Sequence, residues 1–126
     1  MTPSEERKIV SVLFCDLVDS TPLAGARDPE DWRAVVARYF AGARTAVELY
    51  GGTVEKFIGD AVMAVFGLPS AHDNDPERAV RAALAIRDAP PVLPELRIRI
   101  GIATGEVIAD PSASEKGEFL VTGEVV

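Results

Sequence analysis

Two aspartates in this chain are placed to do chemistry. Asp16 lies in IVSVLFCDLVDST and Asp60 in VEKFIGDAVMAVFG, each set against a long apolar run. A carboxylate flanked by strand-forming hydrophobics is costly to bury alone and needs a charged or hydrogen-bonding partner. Two such carboxylates point to one shared cation. Oxygen donors suit magnesium or manganese, which take one or two carboxylates and complete their shells with substrate phosphates. The alternative is structural: Asp16 ends a strand and Asp60 fills a turn that favours Asp. Asp19, Ser20 and Thr21 follow Asp16 closely. Their backbone amides can form an anion-binding turn ahead of a helix, suited to a triphosphate, or an ordinary Ser/Thr turn.

Composition bounds what this pair can belong to. The chain has 126 residues, 48% hydrophobic and 26% charged, with a formal net charge of -7 and a pI near 4.7. That length fits one compact domain with its own core. The acidic balance argues against a general nucleic-acid or anionic-membrane surface, which would need clustered Lys and Arg. Cys15 is the only cysteine and His72 the only histidine. No internal disulfide or His/Cys zinc cluster can therefore be built, and Cys15 reads as a small core residue in a reducing compartment. His72, in the polar SAHDNDP, reads as a solvent or cap residue. MTPSEERK lacks the pattern of a secretory signal, and no apolar run is long enough to span a bilayer. A cytoplasmic location is expected, with residues 1–7 a polar lead and 8–126 the domain; other domains can exist in the parent protein.

The elements that must position the aspartates follow from periodicity. Ile9 to Val18 is an almost unbroken apolar, β-branched run, the pattern of a central strand buried on both faces. A helix is expected next, capped by Asp28, with Pro29 at its first position, Glu30 and Asp31 at its positive end, and Gly51 and Gly52 after its end. Its apolar stripe is Trp32, Val35, Val36, Tyr39, Phe40, Ala43 and Val47. Thr53 to Ile58 and Ala61 to Phe66 read as a hairpin turning at Gly59-Asp60. A second helix is expected to start at Asp75 as cap and Pro76, with Ala79, Val80, Ala83, Leu84 and Ile86 toward the core. Leu96, Ile98, Ile100 and Ile102 alternate with Arg97, Arg99 and Gly101, a strand with one buried face. ADPSASEKGE reads as a polar loop before a short run, Phe119 to Val121. Strand, helix, strand, strand, helix, strand gives an α+β fold of ferredoxin-like βαββαβ type, an antiparallel sheet with helices on one face.

With those segments in place, VSVLFCDLVDST, GGTVEKFIGDAVMAVFGLP, RIRIGIATGEVIA and FLVTGEVV together resemble the catalytic domain of class III adenylate and guanylate cyclases. The likeness runs from about Lys8 onward, through several dispersed segments in the same order. It implies a head-to-tail homodimer with composite sites that convert a nucleoside triphosphate to a 3′,5′-cyclic nucleotide and pyrophosphate. By that resemblance Asp16, Asp60 and the backbone carbonyl of Leu17 would bind two divalent ions, Mg2+ or Mn2+. Asp19, Ser20 and Thr21 would hold phosphates, and Lys56 would read the base in the partner's site. An ammonium only donates, so Lys56 suits N1 of adenine rather than the protonated N1 of guanine; the other reading of Lys56 is a solvated strand residue.

Two departures temper the resemblance. The second base-selecting position aligns with Leu120, which cannot hydrogen-bond an adenine amino group. The chain stops at Val126, where the family continues with an asparagine and an arginine. A transition-state arginine contributes on the order of 10³ to 10⁵ in rate, so this segment by itself is expected to have little or no activity. The expectation is thus an adenylate cyclase domain using ATP. The alternative is a noncatalytic regulatory or dimerisation module of the same fold. A diguanylate cyclase is disfavoured because FIGDAV stands where a Gly-Gly-Asp/Glu-Glu-Phe turn would be.

Overall fold

The computed structural model describes residues 6–68, 71–110 and 120–122, with backbone alone at 6, 109, 110 and 120–122. The elements are β1 (Glu6–Val18), α1 (Ser20–Gly25), α2 (Pro29–Leu49), β2 (Thr53–Ile58), β3 (Ala61–Phe66), α3 (Asp75–Asp88), β4 (Arg97–Asp110) and β5 (Leu120–Thr122). The strands form one antiparallel sheet in the order β2-β3-β1-β4-β5. The expected βαββαβ core is present, with a short helix added after β1 and a fifth strand at the edge.

β1 is central and buried on both faces because its apolar residues run through both parities. Leu13, Cys15 and Leu17 face α2 and α3 and pack with Val62, Ala64, Phe66, Tyr39, Val47 and Ala79. Val10 and Val12 belong to a second cluster with Met63, Val65, Leu68 and Val107, against which Phe14 packs. Side chains alternate along a strand, so Asp16 shares the parity of Val10, Val12 and Phe14. The buried hydroxyl of Ser11 is satisfied 2.7 Å from that of Thr104, its cross-strand partner.

α2 starts and stops where its end residues dictate. The Asp28 carboxylate accepts from the Glu30 amide at 2.8 Å, with Pro29 in the first turn. At the other end the Gly51 amide donates to the Glu48 carbonyl and the Gly52 amide to the Val47 carbonyl, a Schellman ending. Gly51 takes φ +81°, and a Cβ on Gly52 would sit 2.5 Å from the Phe66 ring. The hairpin bounds agree with expectation, and Gly59, at φ +59°, supplies the left-handed residue of the turn.

α3 differs from its sequence expectation. Its cap position is Asn74, whose side chain makes no capping bond, and Asp75 lies inside the first turn. The reason is a better use for that carboxylate. Asp75 is buried, accepts from the His72 amide at 2.8 Å, and is paired with Arg78, which also donates to the Tyr50 carbonyl. Val80 and Leu84, expected inward, are exposed, and the small Ala79 and Ala82 make the close contact instead. On β4, Ile98, Ile100 and Ile102 pack under the helices as the alternation requires. The strand also takes in Ala109 and Asp110, expected to be loop, because both continue the ladder with β1 or β5. The fifth strand runs over Leu120–Thr122; Phe119 lies outside the described residues.

Candidate active site

β1 carries Asp16 at its penultimate turn of pleat, and the β2-β3 hairpin carries Asp60 at its tip. Since β3 pairs antiparallel with β1, with Cys15 opposite Val62, the tip and the end of β1 fall on the same edge of the sheet. Each carboxylate has its own partner. Arg99 lies directly opposite Asp16 across the β1-β4 ladder, and its Nε and Nη2 donate to the two Asp16 oxygens at 3.2 and 2.9 Å. Asp60 accepts from the Ser20 hydroxyl at 2.5 Å. The partner that Asp16 needs is thus a guanidinium on the neighbouring strand, set by register rather than by any nearby sequence.

Tyr39 ties the site to the core. Its buried hydroxyl lies 3.0 Å from the Cys15 carbonyl oxygen and 3.1 Å from Cys15 Sγ, one residue before Asp16. Burial pushes the Tyr39 phenol well above its ordinary range, the hydrogen bond to Cys15 and the Cys15 charge add to that, and the charges of Asp16 and Asp60 push it further. Burial also raises the Cys15 thiol, against the lowering effect of its Tyr39 contact. A low-pKa, reactive cysteine would need the opposite balance.

Asp19 has φ +54° and ψ 41° and caps α1 by position only, without a side-chain bond. The left-handed residue turns the chain sharply out of β1, so that Ser20 opens α1 and reaches Asp60. Ser20, Thr21, Gly59 and Asp60 line one end of an open cleft of about 750 Å³, whose walls come from α2 through Trp32, Arg33, Val36 and Phe40. Phosphate-sized groups have room there. Asp19 is exposed, and its charge, after that of Asp16, holds the Arg99 guanidinium above its ordinary range.

Lys56 is exposed on the edge strand β2, beside a register shift between Val54 and Lys56, and pairs with Met63. Met63 in turn faces Phe14 on β1, which sets Lys56 two strands, or roughly 10 Å, from β1. Leu120 is elsewhere. It pairs with Asp110 at the far end of β4 from Arg99, roughly 35 Å along the strand from the Asp16 level. Its side chain lies outside the described residues. One chain therefore joins Ser20 to Asp60 beside Thr21, sets Asp16 and Leu17 near the same edge at the end of β1, and leaves Leu120 apart. The Leu17 side chain is buried, so any part Leu17 took in binding would fall to its backbone.

Sequence reasoning missed Arg99 and Tyr39 as parts of this site. Arg99 was visible only as a polar residue of an alternating strand, and Tyr39 only as one member of an apolar stripe. Matching the Ile9–Val18 run against the 96–102 alternation in antiparallel register is the operation that would have found Arg99.

The donor set fits a hard divalent cation. It consists of carboxylate, hydroxyl and carbonyl oxygens, and one of the two carboxylates already attracts a cationic group; among the described residues there is no group of three or more His, Cys, Asp or Glu that could hold a metal ion without further ligands. Magnesium and manganese are held in that way, by one or two carboxylates with the remaining positions left to phosphate or water. No helix among the described residues is long and apolar enough to cross a membrane.

Comparison with known proteins gives a consistent picture. The family model of the adenylate and guanylate cyclase catalytic domain matches residues 2–126. An uncharacterized protein of Mycobacterium tuberculosis is 38% identical over 123 residues, which is 96% of this chain and 23% of that protein. The chain thus spans less than a quarter of the length of this relative. The solved adenylyl cyclase CyaB of P. aeruginosa superposes with a TM-score of 0.82 at 26% identity, over 97% of this chain and 69% of its own. The guanylyl cyclase Cya2 superposes with a TM-score of 0.83 at 30% identity, over 97% of this chain and 67% of its own.

Proposed function

The chain belongs to the adenylate and guanylate cyclase catalytic-domain family, and from that premise we propose that it supplies the carboxylate half of a composite site converting ATP to 3′,5′-cyclic AMP and pyrophosphate. The observation that carries this reading is the strand register that sets Asp16, near the end of β1, and Asp60, at the β2-β3 tip, on the same edge of the sheet, with Ser20 bonded to Asp60 at the mouth of the cleft.

Asp16, Asp60 and the Leu17 carbonyl would hold two divalent ions. Bound there, Mg2+ or Mn2+ supplies activation of the ribose 3′-hydroxyl and neutralises charge building on the phosphates. The rest is done by the chain. Ser20 fixes the orientation of the Asp60 carboxylate through its hydroxyl. Asp19 turns the backbone so that the amides at Ser20 and Thr21 open toward the cleft, where a triphosphate is held. Lys56, exposed on an edge strand, is free to enter the site of a second copy and accept adenine rather than guanine by donating to N1. The dimer is head-to-tail in this reading, because one copy separates Leu120 from Asp16 by most of the sheet.

A second reading, a noncatalytic regulatory or dimerisation module, is favoured by Leu120, whose side chain offers no hydrogen bond to a base. Manganese-dependent turnover of ATP and GTP separates the two, measured on these 126 residues and on the longer parent protein. Cyclic AMP from the full-length protein, lost in Asp60→Asn, is the expected result. A parent that binds manganese-ATP and forms no cyclic nucleotide would refute the enzymatic reading.

A further inference from the structure

We propose that Arg99 is the resident counter-cation of Asp16: it holds the carboxylate in place when no divalent ion is bound and competes with that ion for the same two oxygens. The proposal rests on the carboxylate-site reading above and concerns how that site is guarded.

Three observations carry it. First, the contact is built into the sheet. Asp16 and Arg99 are direct cross-strand partners, and the guanidinium uses both Nε and Nη2, one on each carboxylate oxygen. A bidentate fork of this kind leaves no Asp16 oxygen without a cationic neighbour. Second, the two carboxylates are unequal. Asp60 accepts from a neutral hydroxyl, whereas Asp16 accepts from a guanidinium. Third, the two partners differ in how easily they move. Arg99 has 71% of its side chain exposed, whereas Asp16 has 32% and rises from the centre of the sheet. The arginine can swing into water while the aspartate stays where β1 puts it. Asp19 gives the released guanidinium a second negative neighbour at the same edge.

An exposed ion pair is weak and screened by salt, so a doubly charged ion displaces it once its concentration is high enough. Arg99 thereby raises the divalent-ion concentration at which Asp16 becomes available. Its removal should tighten binding, the reverse of what a residue supporting the metal would do.

The test measures Mn2+ affinity without nucleotide, from the electron paramagnetic resonance signal of the free ion, on the 126-residue chain. Arg99→Gln is expected to tighten Mn2+ binding about threefold to tenfold. Arg99→Lys, which keeps the charge and loses the fork, should tighten it by about twofold. Arg7→Gln, which removes a different cross-strand ion pair, with Glu106 at the opposite end of the sheet, should leave it unchanged. Circular dichroism checks the fold of each variant, and Arg99→Lys decides the matter if Arg99→Gln does not fold. Unchanged or weaker Mn2+ binding in the folded Arg99 variants overturns the proposal, provided Asp16→Asn abolishes binding. If Asp16→Asn binds Mn2+ as the parent chain does, the carboxylate-site reading falls and Arg99 falls with it.

Discussion

Replacing Tyr39 with Phe removes one hydroxyl from the junction of α2 and β1 and leaves the ring in place. Tyr39 is 7% exposed, and its hydroxyl contacts the Cys15 carbonyl and thiol. A buried hydrogen bond contributes about 1 kcal/mol net, so Tyr39→Phe should be less stable by about that amount at neutral pH. The alkaline behaviour is the sharper test. The folded-state phenol is raised far above its ordinary value of 10.0, first by burial. A raised folded pKa gives stability that is complete below the unfolded pKa and is lost as pH climbs toward the folded one. At pH 11 the unfolded phenol is mostly ionised and the folded one is not, which costs the parent chain about 1.4 kcal/mol that the Phe variant never loses. The two stability curves should therefore converge above pH 10 and cross before pH 11. Urea unfolding of both chains, followed by circular dichroism from pH 7 to pH 11, measures this directly. Curves that stay parallel would show that Tyr39 ionises as easily in the folded chain as in the unfolded one, and the buried-clamp argument would be wrong.

Four further outcomes are expected. Asp75→Ala leaves the largely buried Arg78 guanidinium without its carboxylate and the His72 amide without its acceptor, and should cost about 3 kcal/mol in urea unfolding. Gly52→Ala drives a methyl into the Phe66 ring and should cost about 1–3 kcal/mol by the same measurement, since overpacking strains a full core. Ser20→Ala removes the donor to Asp60 and should weaken manganese-ATP binding severalfold in calorimetry while leaving the unfolding midpoint nearly unchanged. Lys56→Gln, on an exposed edge position, should lower any preference of the full-length protein for ATP over GTP without changing stability; an unaltered ratio of kcat/KM values would remove Lys56 from base reading.

The parts of this fold that were legible in the sequence are those set by local chemistry. Asp28-Pro29 starts a helix and Gly51-Gly52 ends it through bonds among near neighbours, and Gly59 turns a hairpin because it can adopt positive φ. What stayed hidden depends on residues distant in sequence. The start of α3 shifted because Asp75 is paired with Arg78 and buried near the Gly51 turn, and Val80 and Leu84 turned outward because close packing against the sheet selected Ala79 and Ala82. The site follows the same division. Asp16 and Asp60 announced themselves as carboxylates in apolar runs, and the family resemblance assigned them a role. Their partners came from strand register in one case and from a left-handed residue at Asp19 in the other.

That register also bears on why a single chain falls short as a catalyst in the proposed scheme. Asp16 sits opposite Arg99 near the start of β4, and Leu120 sits opposite Asp110 at its end. At roughly 3.3 Å per residue, these positions are about 35 Å apart, several times the reach of any side chain and longer than a nucleoside triphosphate. A position at Leu120 that faces the base and carboxylates at Asp16 and Asp60 that would meet the phosphates through a divalent ion cannot reach the same nucleotide from one sheet. They can do so from two sheets related by a twofold axis, each giving its carboxylate end to one site and its opposite end to the other. A mixing experiment tests this consequence in the parent enzyme. An Asp60→Asn chain and a chain altered at both Lys56 and Leu120 are each expected to be impaired alone. Combined, they should regain up to about one intact site in each mixed pair. Absence of any recovery, with mixed pairs demonstrated by crosslinking, would place both halves of the site on one chain and contradict the geometry argued from β4.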